Sequence, residues 1–281
     1  MGDLERLLAI LQEVRHRATR IVYVLAPIFA FLITFQLRPI SVRLPYLAWR
    51  LPLAYPYPNF FDNVTAQVFR ALVAWTLPSN VTLLNVGVGD SVIVQMEIAF
   101  LLTLILGMPW LVHEVGAFLV PALRTNERKL IRQIGLPATV LFAIGTVLGL
   151  LFLTPFTFRL LFLYVVAMGL QPAVGIQQFA TFALLYSLAF GVVFELPVFV
   201  YSLTRLGVVR ASAWRQHWRG AVIACLVFGM IVTPDNSPFT MTLIALPMMG
   251  LYFSGAYFAT RWERGRALDQ GPEPPRAAAG A

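Results

Sequence analysis

Six apolar runs, divided by short basic stretches, leave this chain one class of fold. They cover residues 21–37, 92–112, 134–153, 177–203, 220–232 and 239–259. Backbone groups in hydrocarbon must find partners inside the chain, and runs of this length do so as helices. An all-α polytopic membrane protein with six transmembrane helices is therefore expected. Charged residues, 12% of the chain, are too few for an ordinary soluble domain, which carries about 25%. The fifth run is short for a span. Residues 221–232 lie between the basic stretch 205–219 and the turn Thr233-Pro234-Asp235. They reach about 20 Å at a rise of about 1.5 Å per residue, against a hydrocarbon core of about 30 Å. The bilayer must thin there, or neighbouring helices must shield the segment.

The basic residues set an orientation. With the N-terminus inside, the inner segments hold Arg6, Arg15, Arg17, Arg20, Arg124, Arg128, Lys129, Arg132, Arg205, Arg210, Arg215, Arg219, Arg261, Arg264, Arg266 and Arg276. That is 16 of the 21 basic residues, leaving Arg38, Arg43, Arg50, Arg70 and Arg159 outside. This is the positive-inside asymmetry, and it places both termini in the cytoplasm. The net charge of +8 therefore marks topology, and secondarily contact with membrane lipids, rather than affinity for nucleic acid. Asp3, Glu5 and Glu13 among the first basic residues argue against a secretory signal or a transit peptide.

A single transmembrane domain over residues 1–260 is expected. Leu4, Leu7, Leu8 and Leu11 form an i, i+3, i+4, i+7 stripe, so residues 3–17 read as an amphipathic surface helix. Loop 38–90, with Pro39, Pro45, Pro52, Pro56, Pro58 and Pro78 among aromatic residues, reads as a semi-rigid cap on the outer face. Within it, Asp62 would cap a short helix carrying Val64, Val68, Leu72 and Trp75 on one face. Residues 160–170 are apolar, but they are flanked by Pro155, Arg159, Pro172 and Gly175 and read as an outer-face interfacial helix. Residues 261–281 read as a basic, disordered cytoplasmic tail. Proline and glycine inside the spans favour bent helices and a concave bundle.

Few acidic residues fall inside the spans. Glu195 sits about 12 Å from the inner end of the fourth run, where a charge costs about 2.5–3.5 kcal/mol unless it faces protein or water. Either it bonds a carbonyl freed by the Pro197 kink, or it meets water or a partner helix; the second reading is favoured. Glu114 reads as a solvated span end beside His113, and the partner of the deeper Glu97 is not legible. His16, His113 and His217 lack metal-ligand spacing, and Cys225 reads as a packing residue. No nucleophile–base pair, phosphate-cradling loop or dinucleotide fingerprint is present, so neither an enzyme nor a cofactor is expected.

Four motifs carry a family resemblance. The stretch Ala117-Phe118-Leu119-Val120-Pro121-Ala122-Leu123-Arg124-Thr125-Asn126-Glu127-Arg128-Lys129 resembles the first cytoplasmic loop of the TatC family, the receptor subunits of the twin-arginine translocase. Phe190-Gly191-Val192-Val193-Phe194-Glu195-Leu196-Pro197 is similar to its fourth-span motif. Val232-Thr233-Pro234-Asp235 with Ala245-Leu246-Pro247-Met248 resembles its fifth- and sixth-span signature, and Leu11-Gln12-Glu13-Val14-Arg15-His16-Arg17 its N-terminal motif. The motifs follow the family's order over roughly residues 4–260. Gly116 and Glu114 stand where the family usually has Trp and Gln, which marks a divergent member.

The resemblance implies a multi-pass protein of the prokaryotic plasma membrane, working in an oligomeric complex. It would bind twin-arginine signal peptides of folded cargo and recruit single-span TatA/TatB-type subunits. It implies a signal-peptide site of Glu127, Glu13, Arg15, Arg17, Phe118, Pro121, Leu123 and Arg128, and an intramembrane polar site of Glu195, Pro197, Thr233, Pro234 and Asp235. The chemistry agrees, since two guanidiniums need carboxylates and such pairs are strong when partly desolvated. On composition alone, Glu13 and Glu127 would simply balance Arg15, Arg17, Arg128 and Lys129; the motif context favours the binding role. The alternatives are a proton- or ion-coupled small-solute transporter using Glu195, and a membrane scaffold.

Overall fold

The computed structural model describes residues 3–43, 50–119, 125–233 and 238–269. Among the described residues, five helices are long and apolar enough to cross a membrane, over Leu11–Thr34, Asp90–Gly116, Gln133–Ala167, Ile176–Arg205 and Thr240–Arg266, with a shorter apolar helix at Trp218–Val232. The six runs of the sequence all appear. The chain divides into two compact units, through Val192 and from Val193.

In the first unit, α1 (Asp3–Thr34) runs without a break from the leucine stripe into the first span. The surface helix expected over residues 3–17 is thus the first half of one long helix, because nothing between Arg17 and Ile21 breaks it. Strands β1 (Phe35–Arg43) and β2 (Arg50–Pro58) follow as an antiparallel ribbon, with Phe35 opposite Pro58 and Arg43 opposite Arg50. Prolines are tolerated here because the ribbon has only two strands, both of them edges.

The helix after the ribbon, α2 (Val64–Thr76), is capped by Asn63 and not by Asp62 as expected. Asn63 is fully buried. Its Oδ1 accepts from the Ala66 amide at 2.9 Å and the Thr65 hydroxyl at 2.6 Å. Its Nδ2 donates to the Ile33 carbonyl and to Gln95 Oε1, each at 2.7 Å. One amide thus ties the end of α1, the start of α2 and α3 (Asp90–Leu119) together. Asp62 instead bonds Gln36 and Arg70. Val64 and Leu72 are buried, whereas Trp75 is exposed and donates Nε1 to the Leu151 carbonyl at 2.7 Å. Strand β3 (Thr82–Leu84) then leads to α3, whose entry is a turn with the Gly87 amide on Asp90 Oδ2 at 2.8 Å.

Helix α4 (Thr125–Leu148) passes through a π-helical turn, Gly149–Leu153, directly into α5 (Thr154–Ala167). Residues 160–167 of the interfacial helix expected over 160–170 are therefore the last part of the third apolar helix. Pro155 falls in the first turn of α5, and the Leu151 carbonyl four residues earlier, which a proline cannot serve, accepts from Trp75 Nε1 instead. The π-turn lies where Gly149 abuts α6 (Ile176–Phe194): a Cβ there would come within 3.0 Å of the Ser187 backbone. Gly169, at φ 76°, closes α5 with the left-handed residue that such a helix end requires. Strand β4 (Ala173–Gly175) pairs in parallel with β3 before α6 begins. Leu72, Phe158, Phe179 and Ala183 form one core from α2, α5 and α6; Leu32, Val64 and Ala99 form another from α1, α2 and α3.

The second unit contains α7 (Leu196–Arg205), α8 (Ala211–Gln216), α9 (Trp218–Val232) and α10 (Pro238–Asp269). Lipid tails offer helices little hydrophobic reason to associate, so close packing must hold them. Gly255 on α10 provides it, since a Cβ there would lie 2.9 Å from Pro197 Cα. Gly229 on α9 does the same against the Met241 carbonyl, at 2.7 Å. The Tyr252 hydroxyl donates to the Trp214 carbonyl at 2.7 Å, and Glu263 Oε2 accepts from the Ala211 amide at 3.2 Å. Helix α10 continues to Asp269, so the first part of the expected disordered tail, residues 261–269, is helical.

Candidate functional site

An arginine held by two carboxylates lies where α1 meets α3. Arg17 donates Nη2 and Nε to Glu13 Oε1, at 2.7 and 3.1 Å, one turn earlier on α1. Its Nη1 reaches Glu114 Oε2 on α3 at 3.5 Å. The Glu114 side chain is only 3% exposed, which corrects the expectation of a solvated span end. Its burial follows from its partner, because a carboxylate is tolerated there only with a cation beside it. Two carboxyl groups thus share one guanidinium.

The two sides of the Arg17–Glu114 pair differ in burial, so their removal should differ in cost. Arg17→Leu leaves Glu114 buried without its cation and is expected to destabilise by about 3 kcal/mol or more. Glu114→Leu leaves Arg17 with Glu13 and should cost about 1 kcal/mol. The double variant should recover most of the difference. Thermal unfolding of the three purified variants in one detergent tests this; equal losses would show that Glu114 does not depend on Arg17.

The remaining residues of the expected signal-peptide site are spread over several elements. Arg15 is exposed on α1, and its carbonyl accepts from the Thr19 hydroxyl at 2.7 Å. Phe118 falls in the last turn of α3, and Glu127 and Arg128 in the first turn of α4. Pro121 and Leu123 lie outside the described residues, as do the side chains of Phe118, Glu127 and Arg128. Among the described side chains, the structure brings together Glu13 and Arg17 and adds Glu114. No local pattern joins Glu114 to Arg17, which is 97 residues away; the usable signal was a carboxylate facing a basic-rich helix end.

Glu195 stands at the junction of α6 and α7, with Pro197 in the first turn of α7. It is half-buried, and its Oε1 is buried with no hydrogen-bond partner among the described residues. Glu97, whose partner the sequence left open, accepts from the Thr181 hydroxyl at 2.6 Å, while its Oε2 is buried without a partner among the described residues. Thr233 is buried at the end of α9; Pro234 and Asp235 lie outside the described residues.

The family model described as Sec-independent protein translocase protein (TatC) matches residues 9–247. The chain belongs to the TatC family. A relative named Sec-independent protein translocase protein TatC from Cenarchaeum symbiosum is 35% identical over 254 residues, covering 90% of this chain and 94% of its own. The protein of that name from Escherichia coli strain K12 is 27% identical over 233 residues, covering 83% and 88%. A crystal structure titled as the twin arginine translocase receptor TatC superposes with a TM-score of 0.71 at 20% identity, over 91% of this chain and all of that one. At that identity the likeness speaks to the TatC fold alone. Membership in the TatC family makes this a membrane protein of Sec-independent protein transport.

Proposed function

We propose that this chain is the core receptor subunit of a twin-arginine translocase in a prokaryotic plasma membrane, with both termini cytoplasmic. Twin-arginine signal peptides of folded proteins bind at the α1–α3 end through Glu127 and Glu13, within the surround of Arg15, Arg17, Phe118, Pro121, Leu123 and Arg128. The observation that carries this reading is the Arg17 guanidinium held between Glu13 and Glu114. A site that already accommodates one arginine between two carboxyl groups has the chemistry for another.

Binding of a fluorescent twin-arginine peptide to the purified protein tests the proposal. A twin-lysine peptide keeps the charge but loses the planar fork, so it should bind at least about tenfold more weakly. Equal affinities would overturn the proposal.

TatA/TatB-type single-span subunits are recruited at the intramembrane polar site of Glu195, Pro197, Thr233, Pro234 and Asp235. The unpartnered Glu195 oxygen supports this, because a buried acceptor gains from a polar side chain on an incoming helix. Glu195→Gln is expected to assemble with partners and export cargo better than Glu195→Leu, as scored by co-purification and export. Normal behaviour of both variants would reduce Glu195 to a packing residue. The same unpartnered oxygen is all that favours a coupled solute transporter, and that alternative requires solute flux from the purified protein alone in liposomes.

A further inference from the structure

The second unit contains a cavity that neither the signal peptide nor the partner subunits account for. It has a volume of about 470 Å³ and lies between α8 and α10. Arg215 of α8 and Arg261 and Arg264 of α10 line it, together with Thr260, Tyr257, Ala256 and Phe253. We infer that this cavity binds the phosphate headgroup of an anionic phospholipid, with the upper part of an acyl chain against Phe253 and Ala256.

Charge is the first argument. Three guanidiniums converge on the cavity and no carboxylate lines it. None of the three makes an ion pair or hydrogen bond with another described residue. The nearest acid in sequence, Glu263, is engaged by the Ala211 amide at 3.2 Å. Other arginines of the same unit rest on aromatic faces: Arg266 and Arg205 over Trp262, at 5.6 and 6.0 Å, and Arg219 over Trp218, at 5.7 Å. The three cavity arginines lack even that contact. A phosphate accepts two or three charge-assisted hydrogen bonds from such a group and relieves its mutual repulsion.

Polarity also changes along the cavity. From Arg264 to Phe253 the wall passes from guanidinium through hydroxyl to aromatic and methyl groups. These residues are eleven apart on one helix, about 16 Å at a rise of about 1.5 Å per residue. The cationic rim coincides with the end of the membrane-spanning stretch Thr240–Arg266. A soluble phosphate ester would leave the apolar half unused, whereas a phospholipid fills both halves. Basic pockets beside transmembrane helices select lipid headgroups on this principle. The inference does not rest on the signal-peptide reading.

The test uses the full chain in mild detergent, with lipid binding read by native mass spectrometry. Phosphatidylglycerol and phosphatidylcholine are titrated against the wild type, Arg261→Gln/Arg264→Gln, and a control, Arg20→Gln/Arg159→Gln, that removes the same charge from exposed positions of the first unit. The wild type is expected to retain one phosphatidylglycerol in preference to phosphatidylcholine. The cavity variant should bind it about thirtyfold more weakly, and the control within about threefold of wild type. An equal loss in the control would reduce the binding to diffuse electrostatics and overturn the proposal, as would an unchanged cavity variant or equal retention of phosphatidylcholine. Displacement of the lipid by millimolar glycerol phosphate would show that a free phosphate ester is the ligand and would overturn the lipid assignment.

Discussion

Glu127→Arg is expected to remove signal-peptide binding while leaving the protein inserted in the membrane. Losing one charge-assisted pair costs about 1.5–3 kcal/mol, roughly tenfold to more than a hundredfold in affinity, and the reversed charge adds repulsion toward the peptide's guanidiniums. Glu127→Ala should fall in the lower part of that range. Glu13→Ala should cost less again, for a reason visible in the structure. Glu13 is already paired with Arg17 at 2.7 Å, so a cargo arginine gains only the charge that Arg17 leaves uncompensated. Titration of a labelled twin-arginine peptide against the three variants measures all of this, with protease accessibility of the termini confirming insertion. Unchanged affinity in Glu127→Arg would remove that residue from the site.

Lengthening α9 is expected to stop transport without stopping binding. Its 15 residues span about 22 Å, short of a hydrocarbon core of about 30 Å. If that shortfall thins the bilayer, it lowers the barrier that partner helices must open for folded cargo. Four leucines inserted after Val227 bring the helix to about 28 Å. They also turn its outer part by roughly 40° and move Gly229 off the Met241 carbonyl, where a side chain has no room. A seven-residue insertion leaves little net rotation and separates length from facing. Both variants should bind peptide normally and fail to export cargo in inverted membrane vesicles. Full export by both would make the short helix a packing accident.

The spans were legible because the bilayer imposes a length and composition on every helix that crosses it. Their junctions were not. Nothing in residues 17–21 announces that the amphipathic stripe and the first span form one helix, because a continuous helix needs only the absence of a breaker. Pro155 read as an interruption, yet it falls in the first turn after a π-turn that Gly149 permits by packing on Ser187. Asp62 and Asn63 are equally good caps on propensity. The choice was made by Ile33 and Gln95, which give the Asn63 amide acceptors that a carboxylate could not use.

The same limit governs the site. The motifs located Glu13, Glu127 and Glu195. The pairing of Glu114 with Arg17, and of Glu97 with Thr181, depends on helix register across 97 and 84 residues and carries no local pattern. Arg215, Arg261 and Arg264 read as topology signals; only the packing of α8 on α10 makes them the rim of a cavity.

The central claim is that carboxylates near the α1–α3 end receive the paired guanidiniums of a signal peptide. A photoreactive residue placed at position 126, beside an intact Glu127, tests it most directly, in membranes supplied with a twin-arginine precursor or its twin-lysine counterpart. The expected result is a crosslink to the twin-arginine precursor that is lost with the twin-lysine one and suppressed by excess twin-arginine peptide. A crosslink of equal yield to both precursors, or to neither while export proceeds, would contradict it.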